Sequence, residues 1–362
     1  MSAVPAPENS PDAGVVWHYG DPLGEQRAAQ RDAVVVDRSH RAVITLTGAD
    51  RKTWLHSIST QHVADTTEGS CTENLSLDGQ GRVEDHWWQT ELGGVTYLDT
   101  EPWRGEPLLA HLQKMVFWSD VVPAASNLAV LSLIGPGLAQ ESVLTALGIP
   151  ALPAESSAVA RDGGGFVRRI ASAGGGADGE IELDAVVPLD QKDAVLDRLE
   201  SAGVRRAGLW AYEAHRVAAR RPRLGMDTDD RTIPHEVGWI GRAVHLDKGC
   251  YRGQETVARV HNLGRPPRMM VLVHLDGSVE RPATGDPLLA DGRVVGRLGT
   301  VVDHVDDGPI ALALVKRGIP AETALSTGGE HAVAAVMDPA SLPVADETGA
   351  GRLAVERLRG RD

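Results

Sequence analysis

Asp247 to Gly264 reads DKGCYRGQETVARVHNLG, and the fold reading turns on this stretch. Gly249 and Gly253 bracket a cysteine and a tyrosine, so the backbone here can take positive φ or approach another segment closely. Lys248 sets positive charge beside Cys250, which favours a thiolate. An accessible, reactive Cys250 is one reading of the loop; a buried thiol acting as a small hydrophobe is the other. Just downstream, Pro266 and Pro267 interrupt the chain. From Met269 onward short β-rich runs alternate with Gly, Pro and Asp turns: Met270 to Leu275, Pro287 to Leu289, Val294 to Leu298, Val301 to Val305 and Ile310 to Val315. That pattern predicts a small antiparallel barrel.

Upstream the pattern is mixed. Ala33 to Asp37 and Ala42 to Thr47 are β-rich, and Asp50 to Ser59 predicts a helix with Trp54, Leu55 and Ile58 at helical spacing. DGQG within Leu75 to Trp88 signals a hairpin, with Val83 to Thr90 as the return strand and Val95 to Leu98 extending the sheet. Trp103 to Val116 predicts a helix. Between Asn127 and Gly208 the order is AVLSLIG as a strand, LAQESVLTALG as a helix, strands around Gly163 to Gly165 and Gly174 to Gly176, then EIELDAVVP. QKDAVLDRLESAG follows as a helix with Val195, Leu196 and Leu199 on one face, and VRRAG closes the unit. A β-α-β-β-α-β order of this kind predicts a ferredoxin-like subdomain.

Composition narrows the function classes. The chain has 362 residues, 42% apolar and 24% charged, enough for several cores. Acids outnumber bases 50 to 36, for a net charge of −14, which argues against stable nucleic-acid binding. The one dense basic run, RRPR at Arg220 to Arg223, reads as a solvated turn or as a local anion site. Cys71 and Cys250 are the only cysteines. Two thiols make no disulfide scaffold and suit a reducing, cytoplasmic setting. They also cannot supply the four thiolates of a usual iron–sulfur site, and no resident metal is read here. No apolar run approaches the ~20 residues of a membrane span, and the opening MSAVPAPENSPDAG has no signal-peptide pattern.

The motif KGCYRGQE at Lys248 to Glu255, followed by VAR at Val257 to Arg259 and preceded by IPHEVGW at Ile233 to Trp239, resembles the YgfZ family. These folate-binding proteins are related to the T-protein, the aminomethyltransferase of the glycine cleavage system. Asp32 to Val63 and Gly285 to Val302 are similar to the family's opening segment and closing barrel. The resemblance implies an α+β fold: a T-protein-like multi-domain body with a ferredoxin-like subdomain and a C-terminal antiparallel β-barrel. With the patterns above it predicts a disordered tail over 1–15, a folate-binding α+β domain over 16–125 and the ferredoxin-like subdomain over 126–210. A return segment carrying the signature follows over 211–267, then the barrel over 268–345 and a weakly ordered tail over 346–362.

The same resemblance implies tetrahydrofolate or a derivative as cofactor, support of iron–sulfur cluster assembly or repair, and iron–sulfur client or assembly proteins as partners. Cys250 is then the critical thiol. Asp85 matches the first acid of the T-protein acidic pair, where a carboxylate serves the folate nitrogens; His86 replaces the second. Folate contacts are expected from Lys248, Tyr251, Gln254, Glu255, Arg216 and Arg259, with Gln254 and Glu255 orienting the thiol or capping the next segment. Aromatic walls could come from Tyr251, Trp88, Trp118, Trp210 and Trp239. Two positions depart from the T-protein pattern: Ala218 stands where a glutamate meets the pterin edge, and Arg220 replaces a glycine. The rival readings are a folate-dependent one-carbon transferase or demethylase using Asp85, and a folate-binding regulatory module without chemistry.

Overall fold

A computed structural model describes residues 2–171, 181–330 and 332–342. The Gly174 to Gly176 stretch and the tail from Asp346 lie outside the described residues. Three β-structures organise the chain. The first is a five-stranded antiparallel sheet in the order Cys71–Leu77, Val83–Leu92, Val95–Thr100, Ala42–Thr47, Val122–Ala125. Its inner face packs Ile44, Leu46, Trp87 and Leu98 against Trp54 and Leu55 of one helix and Leu108 and Leu112 of another.

The second sheet has six strands in the order Ala158–Ala160, Phe166–Arg169, Glu182–Pro188, Leu128–Ile134, Val34–Asp37, Arg205–Ala207. Two helices, Glu141–Leu147 and Lys192–Ser201, cover it. Val195, Leu196 and Leu199 face the strand residues Leu131, Leu133, Leu183 and Ala185 in one apolar cluster, as their helical spacing predicts. The sequence boundary at 126 does not hold in space. Val34–Asp37, expected with the N-terminal domain, inserts between Leu128–Ile134 and Arg205–Ala207, because its three consecutive valines are buried on both faces, which an internal strand permits and an edge strand does not.

The third structure is a closed antiparallel barrel of six strands, Arg268–Leu275, Gly308–Lys316, Arg293–His304, Pro287–Ala290, Leu325–Thr327 and Ala334–Met337. Val294 to Leu298 and Val301 to Val305, read as two strands, form one strand with an irregularity between Leu298 and Val301. Closure removes the exposed edges of the sheet. The helix Leu209–Ala218 ties the body to the barrel by packing Ala214 and Val217 against Leu272, Val302, Ile310 and Leu312. Among the described residues no helix is long and apolar enough to cross a membrane.

The N-terminal segment corrects the expectation of a disordered tail. Val4–Pro5 pairs antiparallel with Val16–His18, and Asp12 is buried with its carboxylate on Arg223. Composition hides this because the partner lies 211 residues away in sequence.

Candidate functional site

Each residue of KGCYRGQE has a definable place. Lys248 is buried, and its ammonium donates to the carbonyls of His56, Ser59 and Gln61, the last at 3.1 Å. Those carbonyls belong to the last turn of the helix Arg51–Ile58 and the residues just after it, where acceptors have no intrahelical partner. Lys248 therefore caps a helix end, and burial pulls its ammonium down to about 8. Tyr251 is buried among Leu75, Leu77, Trp239 and Val257, with its ring 5.2 Å from the Lys248 ammonium. Burial pushes its hydroxyl up to about 12.

The turn that follows is locked to the DGQG hairpin. Gly253 has φ +83° and Gly81 φ +80°, and a Cβ on Gly253 would lie 2.9 Å from Gly81 Cα and 2.7 Å from the Asp78 carbonyl oxygen. Arg252 pairs with Glu84 at 2.9 Å across the same contact. Gln254 Nε2 donates back to the Lys248 carbonyl at 3.4 Å, which ties the start of the helix Gln254–Leu263 to the cysteine loop without capping it. Glu255 and Arg259 stand exposed on the helix Gln254–Leu263. Cys250 is exposed on this braced loop, whereas Cys71 is buried and burial pushes its thiol up to about 11. The reading of Cys250 as a small buried hydrophobe is therefore excluded.

Asp85 lies elsewhere than expected. In the strand Val83–Leu92 successive side chains face opposite ways. Asp85 shares the face of Trp87, and it accepts hydrogen bonds from Ser76 Oγ and Arg104 Nε, both at 2.7 Å. His86 takes the other face. It stacks on Trp239 at 4.9 Å with an 11° interplanar angle and lies 2.9 Å from Glu73. Burial would raise the Glu73 carboxyl, but Arg242 and His86 bring it down to about 2. The histidine that replaces the second acid, not Asp85, lines a cleft with Arg38, Arg41, Tyr212 and Arg221.

That cleft is filled with ion pairs. Arg216 spends all five of its N–H donors internally: on both oxygens of Glu213, on Asp227 at 2.7 Å, on the Arg221 carbonyl at 2.9 Å and on Thr300. It positions the network, with every donor spent within the chain. Arg221 pairs with Glu182 at 2.7 Å and Arg41 with Asp99 at 2.6 Å. Arg223 holds Asp12 and Glu101. The RRPR run is thus neither a solvated turn nor an open anion site, since Arg221 and Arg223 are buried and paired. Arg220 keeps φ +54°, so the backbone retains the left-handed shape a glycine would adopt freely, at some strain.

A cavity of about 40 Å³ remains at the centre, bordered by Arg38, Arg41, His86, Tyr212, Arg221 and Arg223. Small-molecule sites need about 300 Å³ or more. As folded, the cleft does not fit a pterin, and the carboxylates that could meet pterin N–H groups, Glu73 and Glu101, are already paired. Of the expected aromatic walls, Trp88 borders this cavity and Tyr251 and Trp239 are core. Trp210 packs on Trp17, and Trp118 is 99% exposed. A second cavity of about 430 Å³ opens between the end of the helix Leu209–Ala218 and the barrel, bordered by Ala219, Arg220, His235, Met269, Met270 and Arg317.

The model of the GCVT N-terminal domain family matches residues 21–248, ending on the first residue of KGCYRGQE. The aminomethyltransferase of Stenotrophomonas maltophilia (strain K279a) is 30% identical over 335 residues, covering 83% of this chain and 88% of that protein. The aminomethyltransferase of Chromobacterium violaceum is 29% identical over 232 residues, and the match spans 61% of each chain. Among solved structures, the glycine cleavage system aminomethyltransferase T of Bartonella henselae superposes with a TM-score of 0.80 at 20% identity, over 92% of both chains, a likeness of fold.

Proposed function

Because the chain belongs to the GCVT N-terminal domain family, whose aminomethyltransferases use tetrahydrofolate, we propose that it is a folate-linked member whose working group is the Cys250 thiol, acting in support of iron–sulfur proteins. The observation that carries this reading is the exposure of Cys250 on a loop braced by Lys248 below and by the Gly81–Gly253 contact beside it. A fixed, solvent-facing thiol, deprotonated, can ligate iron of a cluster held mainly by a partner or exchange with a partner's thiol. With two cysteines this chain does not supply the four thiolates of a usual cluster by itself.

The test is a strain lacking the protein, complemented with wild type or Cys250→Ser. Circular dichroism of the purified variant should match wild type, while an iron–sulfur enzyme in that strain should stay at the level of the uncomplemented cells. Full restoration by Cys250→Ser would sink the reading.

A second reading, one-carbon transfer with Asp85, has the more direct support of the relatives, which are named aminomethyltransferases. The tie of Asp85 to Arg104, the small central cavity and Ala218 weigh against it. On that reading Asp85→Asn stops turnover of an aminomethyl donor with tetrahydrofolate, and Cys250→Ser leaves it intact.

A further inference from the structure

Arg223 presents a complete carboxylate fork. Its two terminal nitrogens meet the two oxygens of Asp12 at 2.7 and 2.6 Å, its Nε donates to Glu101 at 2.9 Å, and its guanidinium lies 5.2 Å from the Trp103 ring centre. His40 adds a nitrogen 3.2 Å from the same Asp12 carboxylate. Bidentate pairing of this kind is how proteins recognise carboxylates. Burial would raise the Asp12 carboxyl, yet Arg223 and His40 hold it well below the usual range.

The occupant of the fork is weakly tied apart from this contact. Residues 2–14 are largely exposed, with only Ala6 and Asp12 buried. Their backbone is held by the short pairing of Val4–Pro5 with Val16–His18 and by the bond from Ala6 N to Val15 O. Arg223 itself borders the central cavity, which is too small for the ligand class of the family.

We propose that the Arg223 fork is a binding site for the carboxylate of a small-molecule ligand, and that Asp12 occupies it in cis, so that binding requires release of residues 4–15. The exchange replaces one carboxylate by another, so Arg223 is never left buried and unpaired, the outcome that would cost most. A tethered aspartate competes at high effective concentration, and the free protein is accordingly closed. This deepens the reading of the protein as folate-linked and rests on it; the glutamate end of a folate carries the carboxylate in question.

The experiment compares wild type with Asp12→Asn, both full length and both checked for folding by thermal melting. Calorimetry uses two probes, tetrahydrofolate and p-aminobenzoyl-L-glutamate, which keeps the carboxylates and lacks the pterin. Hydrogen exchange of residues 4–15 in wild type is followed with and without each probe, so that the test survives a poorly folded variant. The expected result is at least ~tenfold tighter binding of p-aminobenzoyl-L-glutamate by Asp12→Asn, with faster exchange of residues 4–15 when the probe binds wild type. Equal affinities with unchanged exchange overturn the proposal. If tetrahydrofolate binds in that way, the folate reading survives without the fork. If only the pterin-free probe binds, and prefers Asp12→Asn, the fork stands and the folate reading falls. If neither probe binds either protein, both are overturned.

Discussion

Gly81 and Gly253 meet back to back, each with left-handed φ, at a spacing that admits no side chain on either: a Cβ on Gly81 would lie 2.8 Å from Thr256 Cβ, and one on Gly253 2.9 Å from Gly81 Cα. The hairpin and the cysteine loop are thereby one rigid unit. Gly253→Ala adds both the strain of a non-glycine residue at positive φ and a backbone clash, for an expected loss of about 1–3 kcal/mol. Urea unfolding would read that loss, and the rate of Cys250 alkylation should change with it. An unchanged midpoint and an unchanged rate would show that the loop is not braced in this way.

The two thiols should separate cleanly under Ellman's reagent. In the native protein one thiol per chain reacts promptly, and it is lost in Cys250→Ser. Cys71 reacts only after denaturation, because it is buried and its thiol is raised to about 11 by burial. Prompt reaction of two thiols in native wild type would contradict the packing around Cys71.

Arg216 is a test of network against ligand. Arg216→Met leaves Glu213 and Asp227 buried without their partner, an expected loss of about 3–5 kcal/mol by thermal or denaturant unfolding. Arg216→Lys should recover little of it, since one ammonium cannot serve acceptors arranged around a planar fork. A fully stable Arg216→Met that failed only in ligand binding would return this residue to the role its motif suggests.

His235 supplies a pH dependence. Its ring nitrogens have no hydrogen-bond partner, and burial, with a smaller contribution from His261, pulls it down to about 4. The unfolded chain therefore takes up a proton between about pH 6.5 and 4 while the folded chain does not, so stability is present above pH 6.5 and falls as pH is lowered through that window. His235→Leu should flatten the fall of melting temperature over that range relative to wild type. Parallel curves would show that other groups account for it.

The barrel and the helix faces were legible because they rest on local periodicity. Alternating apolar runs between Gly and Pro turns mark strands wherever they pair, and Val195, Leu196 and Leu199 reach one apolar cluster because helical spacing alone puts them on one face. The cysteine loop was legible in part: Gly253 takes positive φ in close contact with Gly81, as a glycine of that motif allows, whereas Gly249 has open space around it and no positive φ. What the tertiary structure alone decided is which side chains meet and which way they point. Asp85 and His86 differ by one step of a strand, and only the position of that strand in its sheet determines that the histidine faces the cleft and the aspartate Arg104. Lys248 reads as a ligand-binding cation until its ammonium is found on the end of a distant helix. The acidic tail residue Asp12 and the basic run at 220–223 each read as solvated charge by themselves. Their burial is stable only as a pair, and ion pairing depends on distance in space, to which separation along the chain gives no guide.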